Sequence, residues 1–83
     1  MGKPFNLAKR AADSDISRLL RTLITMREDR EWTQQKLALR MNLDRASINR
    51  WENGQVMLSA QQLLRWCQAL DSSLEEVAGR ARL

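Results

Sequence analysis

Histidine and tyrosine are absent from the 83-residue sequence, which has one cysteine, one proline and three glycines. Structural zinc sites are built from clusters of cysteine and histidine, so a lone Cys67 excludes a zinc-stabilised fold. Acid–base catalysis most often uses histidine, and no paired carboxylates or glycine-rich phosphate loop take its place. We therefore expect no enzymatic activity, no metal site and no cofactor.

Long apolar runs are missing as well. No stretch approaches the roughly 20 apolar residues that cross a bilayer, and the first residues lack the apolar core of a signal peptide. A single cysteine suits a reducing compartment. We therefore expect one cytoplasmic domain that makes no membrane contact.

Fourteen lysines and arginines against ten aspartates and glutamates give a formal net charge of +4. A small basic domain suits nucleic acid or another anionic surface as a partner. A protein that is merely well solvated has a similar charge, so charge alone leaves both interpretations open.

Apolar residues recur at helical spacing and predict an all-α chain, with no alternating run typical of a strand. We expect a basic arm over residues 1–14, a domain over 15–79 and a tail over 80–83. The first helix is predicted over residues 15–30, and the last over 74–79, ended by Gly79. Suitable capping residues precede the four later helices: Thr33, Asp44, Ser59 and Ser73.

Residues 34–53 have the pattern of two short helices that cross closely. A close crossing needs a small residue on the inner face of the first helix, and Ala38 provides it. The turn between the helices needs a residue that tolerates positive φ, and Asn42 provides it. The apolar residues expected at the crossing are Leu37, Met41, Leu43, Ile48 and Trp51. The segment is therefore predicted to form a helix-turn-helix.

This segment resembles the helix-turn-helix family of phage lambda repressor and Cro, also called the xenobiotic-response-element family. The resemblance is carried by residues 33–38, 41–48 and 51–54, and extends over about 16–78 through Leu63-Leu64, Ala69-Leu70 and Leu74. It implies a compact five-helix lambda-repressor-like domain that binds double-stranded DNA.

The resemblance also implies roles for individual residues. Base readout is implied for residues at the start of the third helix: Asp44, Arg45, Ala46, Asn49 and Arg50. Arginine can pair in a bidentate manner with guanine and asparagine with adenine, which agrees with that assignment. Phosphate contacts are implied for Gln34, Ser47 and Asn53, with Lys36 and Arg40 as further candidates. The alternative for these residues is an ordinary solvated helix face, and for Asp44 and Asn53 a helix end.

Arg27 and Glu52 match a pair that forms an internal salt bridge in phage repressors, so both are expected to be structural. Proteins of this kind usually bind as twofold dimers, which predicts a homodimer on an inverted repeat. The candidate dimer surface consists of Leu74, Val77, Leu83 and, at the edge of an apolar stripe, Trp66. The alternative is that the last helix only covers the core of the monomer.

The function predicted from these features is sequence-specific transcriptional regulation, acting as a repressor. The main alternative is an antitoxin that binds both DNA and a toxin protein, and a second is a helical interaction module without DNA binding. No second domain is available for an inducer, so we expect no small-molecule ligand. The basic arm is expected either to be disordered or to reach a minor groove.

Overall fold

The computed structural model describes residues 5–83, and describes side chains from residue 15 onward. Five helices and no strand are found in this part of the chain. They are α1 (Phe5–Asp29), α2 (Gln34–Met41), α3 (Arg45–Glu52), α4 (Ala60–Ala69) and α5 (Leu74–Arg80). The all-α architecture predicted from the sequence is confirmed.

Helix α1 begins at Phe5, ten residues before the predicted start at residue 15. No glycine or proline lies between Phe5 and Asp15, and most of the intervening residues are good helix formers such as alanine, leucine, lysine and arginine. The helix can therefore continue upstream of residue 15. Residues 1–4 of the predicted arm lie outside the described residues.

Each of the four later helices begins at the predicted capping residue. The side chains of Thr33, Asp44, Ser59 and Ser73 accept a hydrogen bond from the backbone N–H three residues later. At α4 the Gln62 side chain also accepts a bond from the Ser59 N–H, which completes a capping box. These local bonds fix where each helix starts.

The core lies where the helices meet and is almost entirely apolar. Its fully buried residues include Leu23 from α1, Leu37 and Ala38 from α2, Ile48 from α3, Trp66 and Leu70 from the α4 region and Val77 from α5. Ala38 has no exposed surface, as expected for a small residue at a close helix crossing. Cys67 is buried too, and this burial raises the pKa of its thiol. A protonated thiol is a poor nucleophile, which agrees with a packing role.

Trp66 was predicted to lie at the edge of the apolar stripe of α4, and this was wrong. Its side chain is fully buried, with its ring centroid 6.0 Å from that of Trp51. Leu64, two residues earlier on the same helix, is 44% exposed. The inner face of α4 is thus centred on Trp66, Cys67 and Leu70.

All five helices end in a residue with left-handed backbone conformation. These residues are Glu31, Asn42, Gly54, Asp71 and Arg82. After α1, the Trp32 N–H donates to the Arg27 carbonyl and the Glu31 N–H to the Glu28 carbonyl. This is the Schellman pattern, and the other four ends repeat it. Only one of the five positions is glycine, the residue that adopts this conformation without strain.

Gly79 does not end α5 as predicted, because the helix continues to Arg80. The left-handed residue that ends it is Arg82, whose φ is 61°. The Arg18 guanidinium donates to the carbonyls of Ala81 and Arg82, at 3.0 and 3.1 Å. A contact from α1 therefore helps to set the end of α5, and such a contact leaves no local signal in the sequence.

Glu31→Gly is expected to raise the free energy of unfolding by about 0.5–1 kcal/mol. Glu31 is exposed and has a φ of 58°, where a side chain costs energy that glycine does not incur. The change can be measured as a higher urea midpoint at unchanged slope, followed by circular dichroism.

Gly54→Ala is the matched reverse substitution. Gly54 has a φ of 72°, and a Cβ placed there would meet no atom within 4 Å, so only backbone strain is introduced. We expect a loss of about 1 kcal/mol. A gain of stability from Gly54→Ala, or a loss from Glu31→Gly, would contradict the strain argument.

Four arginines, Arg18 among them, donate to carbonyls at the end of a helix that is distant in sequence. Besides Arg18, the Arg30 side chain donates to the Leu70 carbonyl at 2.7 Å, Arg40 to that of Ala69 at 2.9 Å and Arg65 to that of Met41 at 2.6 Å. We call these four the carbonyl-capping arginines. They satisfy terminal carbonyls of helices and tie one helix to another.

No helix among the described residues combines the length and the apolar character needed to span a bilayer. Nor do residues 15–83 bring together three metal-ligating side chains of histidine, cysteine, aspartate or glutamate.

Candidate nucleic-acid interface

Helix α3 buries one face and presents the other to solvent. Ile48 and Trp51 face the core, at 0% and 5% exposure. Three of the predicted base-reading residues, Arg45, Ala46 and Arg50, are exposed, and Asn49 is half-buried beside them. The structure therefore places these four side chains on or beside the solvent face of one short helix.

Asp44, the fifth residue of that set, is the N-cap of α3. Its Oδ1 accepts from the Ser47 hydroxyl at 2.6 Å and from the Ser47 N–H at 3.0 Å. These two bonds, with the hydroxyl bond the stronger, hold the pKa of Asp44 below its usual value. At pH values above the ordinary pKa of an aspartate, the ionised carboxylate therefore stabilises the start of α3. This stabilisation is lost as the pH falls through the lowered pKa of Asp44.

Ser47 and Asn53, two predicted phosphate contacts, also bond within the helix. The Ser47 hydroxyl donates to Asp44, so it has to release that carboxylate before it can donate to a phosphate. Asn53 is exposed at the C-cap, and its Nδ2 donates to Asn49 Oδ1 at 3.1 Å. One of its two amide hydrogens remains available for another acceptor.

Arg27 and Glu52 form the ion pair that the sequence predicts. Arg27 Nε donates to Glu52 Oε2 at 2.7 Å and Nη2 donates to Oε1 at 3.0 Å, a bidentate geometry. The two side chains are only 10% and 7% exposed. Arg27 also donates to the Trp32 carbonyl, so one guanidinium joins α1, α3 and the turn before α2.

Gln34, at the first position of α2, turns its side chain toward α3. Its Nε2 donates to Glu52 Oε1 at 3.0 Å. Its Oε1 accepts from Asn49 Nδ2 at 3.3 Å and lies 3.5 Å from Arg45 Nη1. Gln34 therefore connects the buried ion pair with two of the predicted base-reading residues. The sequence did not predict this connection, because the residues next to a glutamine at a helix start do not indicate which distant side chains it will contact.

Trp32 is surrounded by three cations. The Arg40 guanidinium carbon lies 4.7 Å from the ring centroid, and Arg30 and Lys36 approach to 5.8 Å. Lys36 is exposed, whereas Arg40 is also engaged with the Ala69 carbonyl and lies 3.7 Å from Asp71. Of the two further phosphate candidates, Lys36 is thus the freer to move. Lys36 and Arg40 follow Trp32 at intervals of four residues. This spacing is a sequence signal that could have predicted the cluster.

The predicted dimer surface is only partly exposed. Trp66 and Val77 have no exposed surface in the monomer, so they have no area to offer a partner, and their assignment to an interface is corrected. Leu74 and Leu83 are 37% and 51% exposed. Apolar exposure is also found on α2 and in the loop after α3, at Leu39, Val56 and Met57.

A family comparison agrees with this geometry. The family described as helix-turn-helix matches residues 23–77, which is well over half of the chain and includes all of α2, α3 and α4. No curated protein and no solved structure matches the chain. The family is one of DNA-binding regulators rather than enzymes. The chain therefore belongs to the helix-turn-helix family of lambda repressor and Cro-type DNA-binding transcriptional regulators.

Proposed function

We propose that the protein is a sequence-specific repressor, active in the cytoplasm, that inserts α3 into the major groove of an operator. The observation that carries this proposal is the exposed face of α3. Arg45 and Arg50 are exposed there, Asn49 lies between them, and the opposite face is held in the core by Ile48 and Trp51. Two guanidinium groups and one amide on one helix face match guanine and adenine edges.

We further propose that a homodimer binds an inverted repeat. One eight-residue helix covers too few base pairs for useful specificity. A twofold dimer places two such helices in successive major grooves, about 34–36 Å apart. Leu74 and Leu83 are the residues of the predicted surface that retain exposed area for this contact.

Phosphate contacts are proposed at both ends of the helix-turn-helix. Lys36 is exposed on α2, close to the helix start, where backbone N–H groups favour an anion. Asn53 lies at the other end, after α3. Gln34, Ser47 and Arg40 remain candidates, although each already bonds within the protein.

Selection of bound sequences from random duplex DNA tests the proposal directly. An inverted repeat with half-sites one helical turn apart is the expected result. On the selected site, Arg45→Ala should weaken binding by about 1–3 kcal/mol and relax preference at one base pair of each half-site. Affinities can be measured by fluorescence anisotropy at fixed salt, since phosphate contacts make binding salt-dependent.

Arg80→Ala is the charge-matched control for Arg45→Ala. Arg80 is exposed on α5, where it lies 3.4 Å from Glu76, and its removal should leave base preference unchanged. Equal binding of all duplexes at physiological salt would reject the proposed readout, and a monomer on an asymmetric site would reject the dimer.

An antitoxin that binds DNA and a toxin protein is the second candidate function. Exposed apolar residues favour it, because Leu39 and Met57 are each 67% exposed and Val56 is 45% exposed. Single exposed apolar residues are common on monomers, so this support is weaker than that for DNA binding. Copurification with the product of a neighbouring gene would favour the antitoxin, and purification alone would favour a stand-alone regulator.

A further inference from the structure

Three amide side chains and one carboxylate form a continuous series of hydrogen bonds beside α3. Asn53 Nδ2 donates to Asn49 Oδ1 at 3.1 Å, and Asn49 Nδ2 donates to Gln34 Oε1 at 3.3 Å. Gln34 Nε2 then donates to Glu52 Oε1 at 3.0 Å. We call this series the amide relay. Every donor in it points toward Glu52.

The direction of the amide relay follows from the carboxylate at its end. Glu52 pairs with Arg27 at 2.7 Å and is 7% exposed, and a carboxylate only accepts hydrogen bonds. Gln34 must therefore present its NH₂ group to Glu52, which leaves its carbonyl oxygen facing Asn49. Asn49 must in turn present its NH₂ group to Gln34, which leaves its own oxygen facing Asn53. The reverse orientation of any one amide would place two donors or two acceptors face to face.

We propose that Gln34 is a positioning residue which, anchored on Glu52, fixes the orientation of the Asn49 amide and thereby determines the base edge that Asn49 recognises. The proposal rests on the proposed function, because it gives Gln34 a role in readout. It differs from the phosphate contact expected for Gln34, which would strengthen binding to every sequence alike.

Asn49 keeps the capacity to read a base while it is held in this way. An amide has two N–H hydrogens and two carbonyl lone pairs, and the relay uses one of each. The remaining hydrogen and lone pair match the N7 and N6 groups of adenine. A side chain oriented before binding loses less conformational entropy on contact, which favours the matching base over others. Arg45, 3.5 Å from the same Gln34 oxygen, is restrained by the same group.

Measurement of base preference tests the proposal. Asn49→Ala first identifies the base pair that Asn49 contacts, as the position where preference is lost. At that base pair, Gln34→Ala should reduce discrimination from about ten-fold or more to below about three-fold, and preference should be retained at base pairs that neither Asn49 nor Arg45 contacts. Gln34→Ala added to Asn49→Ala should have no further effect at this position, because the two residues act as one unit.

Gln35→Ala is the matched control, since it removes an exposed glutamine from the same turn of α2. It should leave discrimination unchanged at every base pair. A uniform loss of affinity for all sequences in Gln34→Ala would overturn the proposal and assign Gln34 to a phosphate contact.

Side-chain amide NMR signals of the free protein separate the relay from the proposed function. In Gln34→Ala the Asn49 NH₂ signals should shift and their hydrogens should exchange faster with water, whereas Gln35→Ala should leave both unchanged. Unchanged Asn49 signals in Gln34→Ala would overturn the relay whatever the DNA results. Wild-type protein that binds all duplexes equally would reject the proposed function, and the readout role of Gln34 with it, even if the NMR result supports the bonds.

Discussion

Glu52→Ala should lower the free energy of unfolding by about 3–5 kcal/mol. The substitution leaves the Arg27 guanidinium, 10% exposed, without a carboxylate partner in the interior, and it removes the acceptor of the Gln34 amide. A domain of this size has only a small total stability, of order 0.1 kcal/mol per residue, so much of the fold would be lost near 37 °C. Thermal and urea unfolding followed by circular dichroism measure the effect.

Glu28→Ala is the control for this experiment. Glu28 also lies near Arg27, at 3.9 Å, but its side chain is 64% exposed, so its loss should change stability by less than about 0.5 kcal/mol. Replacing both members of the buried pair, as Arg27→Met with Glu52→Leu, should be less harmful than Glu52→Ala alone. If Glu52→Ala proved as mild as Glu28→Ala, the pair would not be a structural element of the fold.

Trp66→Ala should lower the free energy of unfolding by about 3–5 kcal/mol, and the domain would then be largely unfolded. Trp66 is the largest fully buried side chain in residues 15–83, and it packs against Trp51 at the centre of the core. Its indole Nε1 has no hydrogen-bond partner among the described residues, so its contribution comes from packing alone. Calorimetry and near-ultraviolet circular dichroism test this expectation. A disrupted core would remove the cooperative unfolding transition from the first and the signal of fixed tertiary packing from the second.

Leu64→Ala, two residues away on the same helix, is the matched control. Leu64 is 44% exposed, so Leu64→Ala should lower the free energy of unfolding much less than Trp66→Ala does. If Trp66 served a dimer interface instead, Trp66→Ala would leave the monomer folded and weaken only self-association. Sedimentation of a folded, monomeric Trp66→Ala variant would therefore contradict its assignment to the core.

Local features of the fold were predictable because each depends on neighbouring residues. Capping side chains reach a backbone N–H three positions away, so Thr33, Asp44, Ser59 and Ser73 could be assigned from the sequence. Asn42 could be assigned to the turn for a similar reason, and its φ is 58°. These features were sufficient to predict α2 and α3 and the way they cross.

Features that depend on distant contacts were not predictable in the same way. Gly79 was expected to end α5, but Arg18, far away in the sequence, bonds to the carbonyls beyond that helix. Trp66 was placed at the edge of α4 because spacing alone does not show which of several apolar residues points to the centre of the core. Sequence periodicity indicates an apolar face but does not locate its midpoint to within one residue.

The candidate site was predictable in its residue types but not in its internal bonds. Chemistry and resemblance singled out Gln34, Asn49 and Glu52 for separate roles. The structure joins them in one series of hydrogen bonds whose direction depends on three-dimensional proximity. Likewise, nothing in the sequence distinguishes Arg40, which is engaged at the end of α4, from an arginine that is free for DNA.

The hydrogen bonds of the carbonyl-capping arginines do not depend on pH near neutrality. Guanidinium groups keep their charge throughout the range in which proteins fold, so these contacts do not weaken as the pH changes around neutrality. The chain has no imidazole to gain a proton, and burial raises the pKa of its single thiol, so that group opposes folding only in alkali, where the unfolded thiol ionises. None of these groups therefore gives the regulator a response to protons near neutrality.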